Sequence, residues 1–439
     1  RPDPTRMVHF PNSPSAFASC RFPRRAMAIF LLLSTVIASC GHVKPNQIMH
    51  DPSASELLGN PEYTAISYGG YRGVSRSEQP SIAQLKEDMR ILHAMGIRIL
   101  RTYNVQLPHA SNVVKAIHEM KQEDPRFEMY VMLGAWIDCA GAWTDSPNHA
   151  EQDYEANQIE IERTVALAQQ FPDIVKVIAV GNEAMVHWAA SYFVAPSVIL
   201  HWVNHLQHLK SEGELPDDLW ITSSDNFASW GGGGGEYHNE DLEALVRAVD
   251  YVSMHTYPFH DTHYNPVFWG RASLDSAEDA ASESGMIEQA MQRAVAYSQT
   301  QYAQVVDYVQ SIDSTKAVHI GETGWSSVSD GFYGPEGSRA ADEYKQALFY
   351  QGMREWTQSS GISCFFFEAF DEPWKSAANP TDSENHFGLF TVEGDAKYAL
   401  WSHVEQGVFN GLTRDGHSIK STYEGQRELL DRHVLNPAR

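Results

Sequence analysis

Cysteine is scarce in this sequence, with four residues in 439 and no Cys-x-x-Cys pair. Zinc ribbons and related sites need closely spaced cysteine pairs, so no metal centre of that kind is indicated. Cys139 and Cys364 fall on or near segments that we place far apart in the fold, and we therefore expect no disulfide between them. We predict neither a metal nor a cofactor for this chain.

Positive charge is also scarce, with 32 lysine and arginine residues against 56 aspartate and glutamate residues and a formal net charge of −24. Binding to a phosphate backbone needs an excess of basic side chains, so a nucleic acid partner is excluded. A neutral polysaccharide or a cation is compatible with this charge. Eleven tryptophans and nineteen tyrosines favour a sugar ligand, because apolar faces of sugar rings stack on aromatic rings, although aromatic residues also fill ordinary cores.

The sequence has little that could span a membrane. An apolar run over residues 27–39 follows two arginines, and it is too short for a permanent transmembrane helix but typical of a signal segment. The run ends in Ile-Ala-Ser-Cys at Cys40, which resembles a bacterial lipobox, where the cysteine is lipid-modified and becomes the first mature residue. We predict that residues 1–39 are an upstream and lipoprotein signal segment and that Cys40 is lipidated. The predicted location is the cell envelope (outer membrane or periplasm in a Gram-negative cell), with a monomer held by its lipid alone. An ordinary cleaved signal peptide, with secretion, is the alternative.

The rest of the chain divides into a polar start, a long alternating region and a polar end. We predict a tether over 40–62, a single catalytic domain over 63–405 and a tail over 406–439 that packs on or beside this domain. Apolar strands are predicted at 63–68, 97–101, 129–134, 175–183, 219–224, 251–255, 318–322 and 363–367. Helices are predicted near 82–95, 110–121, 151–170, 196–210, 240–249, 286–311 and 339–358. Eight strands that alternate with helices indicate an α/β protein with a (β/α)8 TIM barrel rather than an open sheet.

Two glutamates stand where predicted strands end. Glu322 follows Val-His-Ile-Gly, and Glu183 follows an apolar strand that closes on Gly-Asn. The carboxyl ends of barrel strands converge on one mouth, so these carboxyls are predicted to face each other. Retaining glycoside hydrolysis needs two carboxyls about 5–5.5 Å apart. A structural ion-pair role is the alternative, but both glutamates have a nearby glycine and neighbours able to contact a sugar.

Several motifs in order strengthen this interpretation: Gly-Ile-Arg-Ile-Leu-Arg-Thr-Tyr, Val-Gly-Asn-Glu, His-Thr-Tyr-Pro, Gly-Glu-Thr-Gly-Trp and Phe-Asp-Glu-Pro-Trp-Lys. Over roughly residues 63–400 the chain resembles glycoside hydrolase family 17, the β-1,3-glucanases and related glucanosyltransferases of plants, fungi and bacteria. The resemblance implies a retaining barrel in which Glu183 is the acid/base and Glu322 the nucleophile. Glu372 and Lys375 match the family's Glu-x-x-Lys after the last strand, which implies a pair that supports the site.

Other residues are placed to bind sugar, each with a structural alternative. Asn182 is expected to hydrogen-bond a sugar 2-hydroxyl, as the Asn-Glu pair of the wider clan implies, or simply to cap the chain. Tyr257 is expected to donate to Glu322 and keep it ionised, or to serve as a core tyrosine. Tyr68 and Tyr103 end the first two strands and are expected to line the glycone side. Candidates for stacking on sugar or for core packing are Trp136, Trp230, Trp325 and Trp374.

The remaining polar clusters carry less weight. His255, His260 and His263 are close in sequence, but hydrogen bonding in the cleft is favoured over a metal site. Glu368 and Asp371 are rival carboxylates, yet neither has the Gly-Glu or Asn-Glu context. The predicted function is therefore hydrolysis of β-1,3-glucan (laminarin-like) with net retention. The alternatives are a β-1,3-glucanosyltransferase and a non-catalytic surface glucan-binding lipoprotein, although a pure binder needs neither glutamate.

Overall fold

Eight parallel strands close into a barrel in the computed structural model, which describes residues 51–269 and 283–438. Each strand is hydrogen-bonded to the next one along the chain, and the eighth pairs with the first. The strands are β1 (Thr64–Ser67), β2 (Ile97–Arg101), β3 (Tyr130–Ala135), β4 (Val175–Asn182), β5 (Trp220–Asn226), β6 (Val252–His255), β7 (Val318–Gly324) and β8 (Cys364–Phe367). The predicted (β/α)8 barrel is confirmed.

The seven predicted helices cover the outside of this barrel. They are α1 (Ile82–Ala94), α2 (Pro108–Glu123), α3 (Tyr154–Gln170), α4 (Pro196–Ser211), α5 (Glu240–Ala248), α6 (Glu283–Ile312) and α7 (Glu343–Ser359). Helix α1 begins at a capping box, in which the Ser81 hydroxyl accepts from the Gln84 amide and the Gln84 side chain accepts from the Ser81 amide. Helix α2 begins earlier than predicted, at Pro108. Proline suits the first helical position because the backbone N–H there has no partner within the helix, so its absence costs no hydrogen bond.

Alternating strand residues build two apolar layers. One set faces the helices, and the other fills the barrel interior with side chains such as Ile99, Met132 and Phe365. This alternation is the period of two expected of any strand. The inward set leaves apolar surface at the N-terminal end of the barrel, which must be covered if it is to stay out of water.

The chain just before β1 provides that cover, so the predicted tether is wrong for residues 51–62. A helical turn, Ala54–Leu57, lies under the barrel, and the buried side chains Ala54, Leu57 and Leu58 pack into the interior cluster. The Lys176 ammonium lies 2.6 Å from a carboxylate oxygen of Asp51, which fastens this segment to β4. Residues 40–50 of the predicted tether, and the predicted signal segment, lie outside the described residues.

Two loops carry structure that the sequence analysis did not predict. After β3 a hairpin pairs Cys139–Ala140 with Asn148–Gln152, so α3 begins at residue 154 rather than near 151. After β6 a short helix, Pro258–Tyr264, begins the segment that leads to α6. Residues 270–282 of this segment lie outside the described part of the chain.

The tail after residue 405 packs on the outside of the barrel. Arg414 follows a short helix, α8 (Trp401–Glu405), and its guanidinium nitrogen lies 2.9 Å from a carboxylate oxygen of Asp88 on α1. Arg427, at the start of α9 (Arg427–Leu430), places its guanidinium 4.0 Å from the ring centre of Tyr344 on α7. Across the described ranges, no helix has the length and apolarity needed to cross a bilayer.

The buried carboxylate of Asp88 predicts a large effect on stability. It accepts hydrogen bonds from Tyr68 and Arg72 and pairs with Arg414, whose side chain is fully buried. We expect Asp88→Ala to lower the free energy of unfolding by about 3–5 kcal/mol, because it leaves the Arg414 charge without its partner inside the protein. Denaturant unfolding would measure this loss, and limited proteolysis would report release of the tail.

A matched exposed ion pair provides the control for this prediction. Glu243 and Arg247 lie one turn apart on α5, with about half of each side chain exposed. Arg247→Ala is expected to change the free energy of unfolding by less than about 0.5 kcal/mol. Equal effects of the two substitutions would contradict a structural role for the Asp88 cluster.

Candidate active site

The carboxyl ends of β4 and β7 bring Glu183 and Glu322 to the mouth of the barrel. Glu322 lies within β7, and its carbonyl oxygen accepts a hydrogen bond from the Thr256 amide beyond β6. Glu183 directly follows β4 with φ of +48°, a left-handed conformation that is uncommon for glutamate, and its amide donates to Ser224 of β5. Such a conformation persists only where the surrounding structure holds it, and it marks Glu183 as a functional candidate.

Glu322 is held as an anion by three donors. Tyr257 donates to one carboxylate oxygen at 2.6 Å, and Tyr103 and Arg101 reach the other at 2.7 and 2.8 Å. Burial by itself would raise the pKa of Glu322, but the positive charge of Arg101 and the two tyrosine hydroxyls favour the ionised form and bring the pKa below its ordinary value. The predicted contact between Tyr257 and Glu322 is confirmed, and Tyr103 reaches the same carboxylate.

Arg101 is the central cation of the site, and the sequence analysis missed its role. Its side chain is buried, and besides Glu322 it donates to the Gly321 carbonyl and, at 2.6 Å, to the side-chain oxygen of Asn182. Asn182 therefore lies at the mouth, fixed by this bond. The available signal was an arginine at the carboxyl end of a predicted barrel strand, since a buried arginine needs anionic partners.

Glu183 has the opposite electrostatic environment. Burial raises its pKa to about 8, and the nearby negative charge of Glu322 adds to the rise, while Arg101 partly offsets it. Glu183 thus carries a proton at neutral pH, whereas Glu322 does not. Two carboxyls whose surroundings push their pKa values apart are suited to act as a proton donor and a nucleophile.

His255 connects these two glutamates. Its Nδ1 lies 3.1 Å from a Glu183 oxygen, and its Nε2 lies 2.8 Å from the Ser224 hydroxyl and 3.2 Å from Arg101. Arginine can only donate, so Nε2 accepts and Nδ1 carries the hydrogen that is donated to Glu183. Burial lowers the pKa of His255 to about 4, and the charge of Arg101 acts in the same direction against the opposing effect of Glu322, so the ring is neutral.

The three histidines do not meet. His260 contacts the Tyr333 hydroxyl at 2.9 Å, and His263 stacks on Phe332 at 4.0 Å. Within residues 51–269 and 283–438, no group of three histidine, cysteine or acidic side chains is arranged to hold a metal. Hydrogen bonding in the cleft, which we favoured for this cluster, is confirmed for His255.

Lys375 forms a buried cluster with two carboxylates. Its ammonium contacts an oxygen of Glu368 and lies 3.5 Å from an oxygen of Glu372. It also lies 3.9 Å from the ring centre of Phe367, and that ring meets Tyr103 edge-on at 6.2 Å. The predicted Glu372–Lys375 pair is therefore present, and it supports the wall against which Tyr103 rests. Glu368, considered as a rival catalytic carboxylate, is the nearer partner of Lys375.

The predicted sugar contact of Tyr68 is wrong, and Trp230 and Trp325 follow the core-packing alternative, because these three side chains face the helix layer. Tyr68 is fully buried and donates to Asp88 on α1, so it does not line the glycone side. Trp325 is fully buried and donates to the Ala340 carbonyl, and Trp230 is equally buried and donates to the Ser253 carbonyl. Successive strand residues point to opposite faces, and a strand end gives no local sign of which face a residue takes. Trp136 and Trp374 are half-buried and remain candidates.

The opposed pKa shifts predict a broad pH optimum. With the roles expected from the sequence, loss of the Glu183 proton as the pH rises through about 8 would remove the acid. Protonation of Glu322, which occurs below the ordinary glutamate range near pH 4.3, would remove the nucleophile. We expect kcat/KM on laminarin to be half-maximal near pH 8 on the basic side and to stay high down to about pH 5.

A substrate that needs no acid provides the control for this profile. Fluoride is a good leaving group, so Glu183→Ala acting on β-laminaribiosyl fluoride is expected to lose the basic limb of the kcat/KM profile. A basic limb that is centred below pH 6, or that persists in this variant, would assign the titration to another group.

Comparison with known proteins places this geometry in a family. Residues 65–388 match the family model of the BtgE/BtgC glycoside hydrolase domain. An endo-laminarinase from Formosa Hel1_33_131 is 62% identical, with a TM-score of 0.86 over 88% of this chain and 98% of that one. Two curated relatives are a glucan 1,3-beta-glucosidase of Saccharomyces cerevisiae and a putative glucan endo-1,3-beta-glucosidase btgC of Aspergillus niger.

These two relatives match over shorter shares of their own length. The yeast protein is 34% identical over 104 residues, 22% of this chain and 31% of its own length. The Aspergillus protein is 24% identical over 347 residues, 77% of this chain and 42% of its own length, so the chain spans less than half of either relative. The resemblance to glycoside hydrolase family 17 is confirmed, and the chain belongs to the BtgE/BtgC glycoside hydrolase domain family.

Proposed function

We propose that this glycosidase cleaves β-1,3-glucan with retention of configuration, through a covalent glycosyl-enzyme. The observation that carries the mechanism is the pair of strand-end carboxyls with opposite pKa shifts, one protonated and one ionised at neutral pH. The substrate class is supported by the 62% identical endo-laminarinase.

In the first step the ionised Glu322 attacks the anomeric carbon while Glu183 gives its proton to the departing glycosidic oxygen. The bond to the leaving sugar breaks as the bond to Glu322 forms, and no other proton is needed. The His255 N–H occupies one oxygen of Glu183, which leaves the other oxygen to carry the proton. Arg101 and the two tyrosines keep Glu322 anionic until it attacks.

In the second step Glu183, now ionised, takes a proton from water, and the hydroxide displaces Glu322 from the same face that the leaving group left. Two inversions give net retention. A sugar hydroxyl in place of water would give transfer, so the glucanosyltransferase alternative uses the same two residues and differs only in the acceptor.

Laminarin digestion followed by proton NMR tests this function. We expect release of reducing ends with the β-anomer formed first, and shortened chains as the main products. An α-anomer formed first would overturn retention, and an intact laminarin would overturn the substrate class. Elongated products that dominate when a laminari-oligosaccharide is added as acceptor would favour the transferase.

We also propose that the enzyme is anchored to the cell envelope through a lipid on Cys40, because this cysteine follows a short apolar run in a lipobox-like context. Cys40→Ser is expected to move the protein from the membrane fraction to a soluble fraction, with its specific activity on laminarin unchanged. Cys20→Ser, upstream of the apolar run, is the matched control and is expected to leave the protein in the membrane fraction. Mass spectrometry that finds an unmodified mature N-terminus other than Cys40 would contradict this anchor.

A further inference from the structure

Three aromatic rings form a cluster beside the active site that the chemistry described above does not use. Trp143 stacks on Tyr192 with 4.9 Å between ring centres and 20° between planes, and Trp136 lies 5.0 Å from the same tyrosine. Tyr192 is nearly buried, whereas Trp143 is 61% exposed. A tryptophan with so much exposed surface, stacked on one face only, has an open face available to a ligand.

Asp138 fixes both tryptophans. One of its carboxylate oxygens accepts the indole N–H of Trp136 at 2.8 Å and that of Trp143 at 3.2 Å. The backbone of Asp138 is held in turn by the side chain of Asn157, which donates to its carbonyl and accepts from its amide. Both ring planes are therefore set before any ligand arrives, which reduces the entropy lost on binding.

The hairpin after β3 also joins the loop that follows Glu183. The Cys139 amide donates to the Tyr192 carbonyl at 3.1 Å, and the Trp143 amide donates to the Ser191 carbonyl at 2.9 Å. Trp143 has φ of +63°, a conformation that is unusual for a bulky residue and that these bonds hold in place. The backbone is thus organised to present an exposed ring rather than to bury it.

The position of the cluster indicates which part of a glucan it meets. Tyr192 is on the loop after β4, and its hydroxyl donates to the Asn182 carbonyl at 3.4 Å, directly before Glu183 in the chain. Glu183 delivers its proton to the leaving oxygen, so the part of the cleft beside Glu183 receives the departing segment. Glucosyl units are uncharged and have apolar C–H faces, which suit flat indole surfaces in an acidic protein.

We propose that Trp136, Trp143 and Tyr192 form a platform that binds glucosyl units on the leaving-group side of the scissile bond, with Asp138 as a positioning residue. This inference rests on the proposed β-1,3-glucan hydrolysis. The platform contributes binding to the departing or accepting segment of the chain and takes no part in bond breaking.

Trp143→Ala tests the platform with two substrates. On laminarihexaose we expect kcat/KM to fall about tenfold, equivalent to about 1.4 kcal/mol, mainly through KM. On β-laminaribiosyl fluoride, whose leaving group is too small to reach the platform, we expect kcat/KM within twofold of the wild type. Tyr154→Ala, which removes another half-exposed aromatic ring on α3, is the matched control and is expected to leave both substrates unaffected.

Asp138 has its own test. Asp138→Ala removes the shared acceptor and is expected to raise KM for laminarihexaose to a similar extent at nearly unchanged kcat. Asp138→Asn keeps an acceptor oxygen and is expected to recover most of the wild-type KM. Loss of kcat on the fluoride in either variant would show a general distortion of the site instead.

The outcomes separate this inference from the proposed function. If the wild type cleaves laminarin and Trp143→Ala matches it on laminarihexaose, or loses equally on both substrates, the leaving-group platform is overturned. If the wild type leaves laminarin intact, the proposed function fails whatever the variants do.

Discussion

Replacement of Glu322 by alanine is expected to lower kcat/KM by at least about 10⁴-fold on every glycoside, whatever its leaving group. The carboxylate must form a bond to carbon, and no neighbouring group can replace it: Tyr103 and Tyr257 hold their hydrogens toward this same carboxylate, and Arg101 is a cation. Added azide can enter the space that the truncated side chain leaves. With an activated β-glycoside it is expected to give the α-glycosyl azide, because a single displacement inverts the anomeric centre.

A second buried carboxylate, whose hydrogen-bond partners are not part of the Glu183–Glu322 site, provides the control for this experiment. Glu343 on α7 is buried and accepts from the Tyr398 amide and the Thr422 hydroxyl. Glu343→Gln is expected to affect stability but to leave kcat/KM near the wild-type value. A Glu322→Ala variant with ordinary activity, or one that yields the β-glycosyl azide, would contradict its assignment as nucleophile.

Replacement of Glu183 by alanine is expected to have an effect that depends on the leaving group. On laminarin, where the departing alkoxide must be protonated, we expect a loss of at least about 10³-fold in kcat/KM. On β-laminaribiosyl fluoride the first step is expected to be nearly unaffected, because fluoride needs no proton. The glycosyl-enzyme then accumulates, since no general base activates water, and a burst of fluoride should precede a slow steady state.

Azide distinguishes the two glutamates in this variant too. It is expected to speed breakdown of the glycosyl-enzyme without base assistance and to give the β-glycosyl azide, because attack on the Glu322 ester inverts the centre a second time. An α-azide from Glu183→Ala together with a β-azide from Glu322→Ala would exchange the two roles. Equal loss on laminarin and on the fluoride would show that Glu183 acts as something other than an acid.

The barrel itself could be predicted because its signals are local. A buried strand such as Ile97–Arg101 is recognised by its apolar residues, and a helix such as Ile82–Ala94 by its spacing and its capping serine. The two glutamates could be predicted as a pair because any residue at the carboxyl end of a barrel strand arrives at the same mouth. The contact from Tyr257 to Glu322 followed from the same rule.

The partners of those glutamates depended on the tertiary structure. Arg101 and His255 lie 154 residues apart in sequence and meet across the barrel axis, and their joint effect on the two pKa values depends on distances and burial that no local pattern encodes. Trp143 became a candidate only through a hairpin of two short strands. These strands are too short to show a clear alternation of apolar and polar residues in the sequence.

The sequence alone determined the order of strands and helices, the strand-end glutamates and the family motifs, because these depend on side chains that are neighbours along the chain. The tertiary structure decided which way each side chain faces. Tyr68 and Trp325 turn to the helix layer, while Tyr103 turns to the nucleophile. It also decided that residues 51–62 cover the barrel base. In each case the orientation of the side chain or the position of the segment is determined by contacts between residues that are distant in sequence, because these contacts remove apolar surface from water.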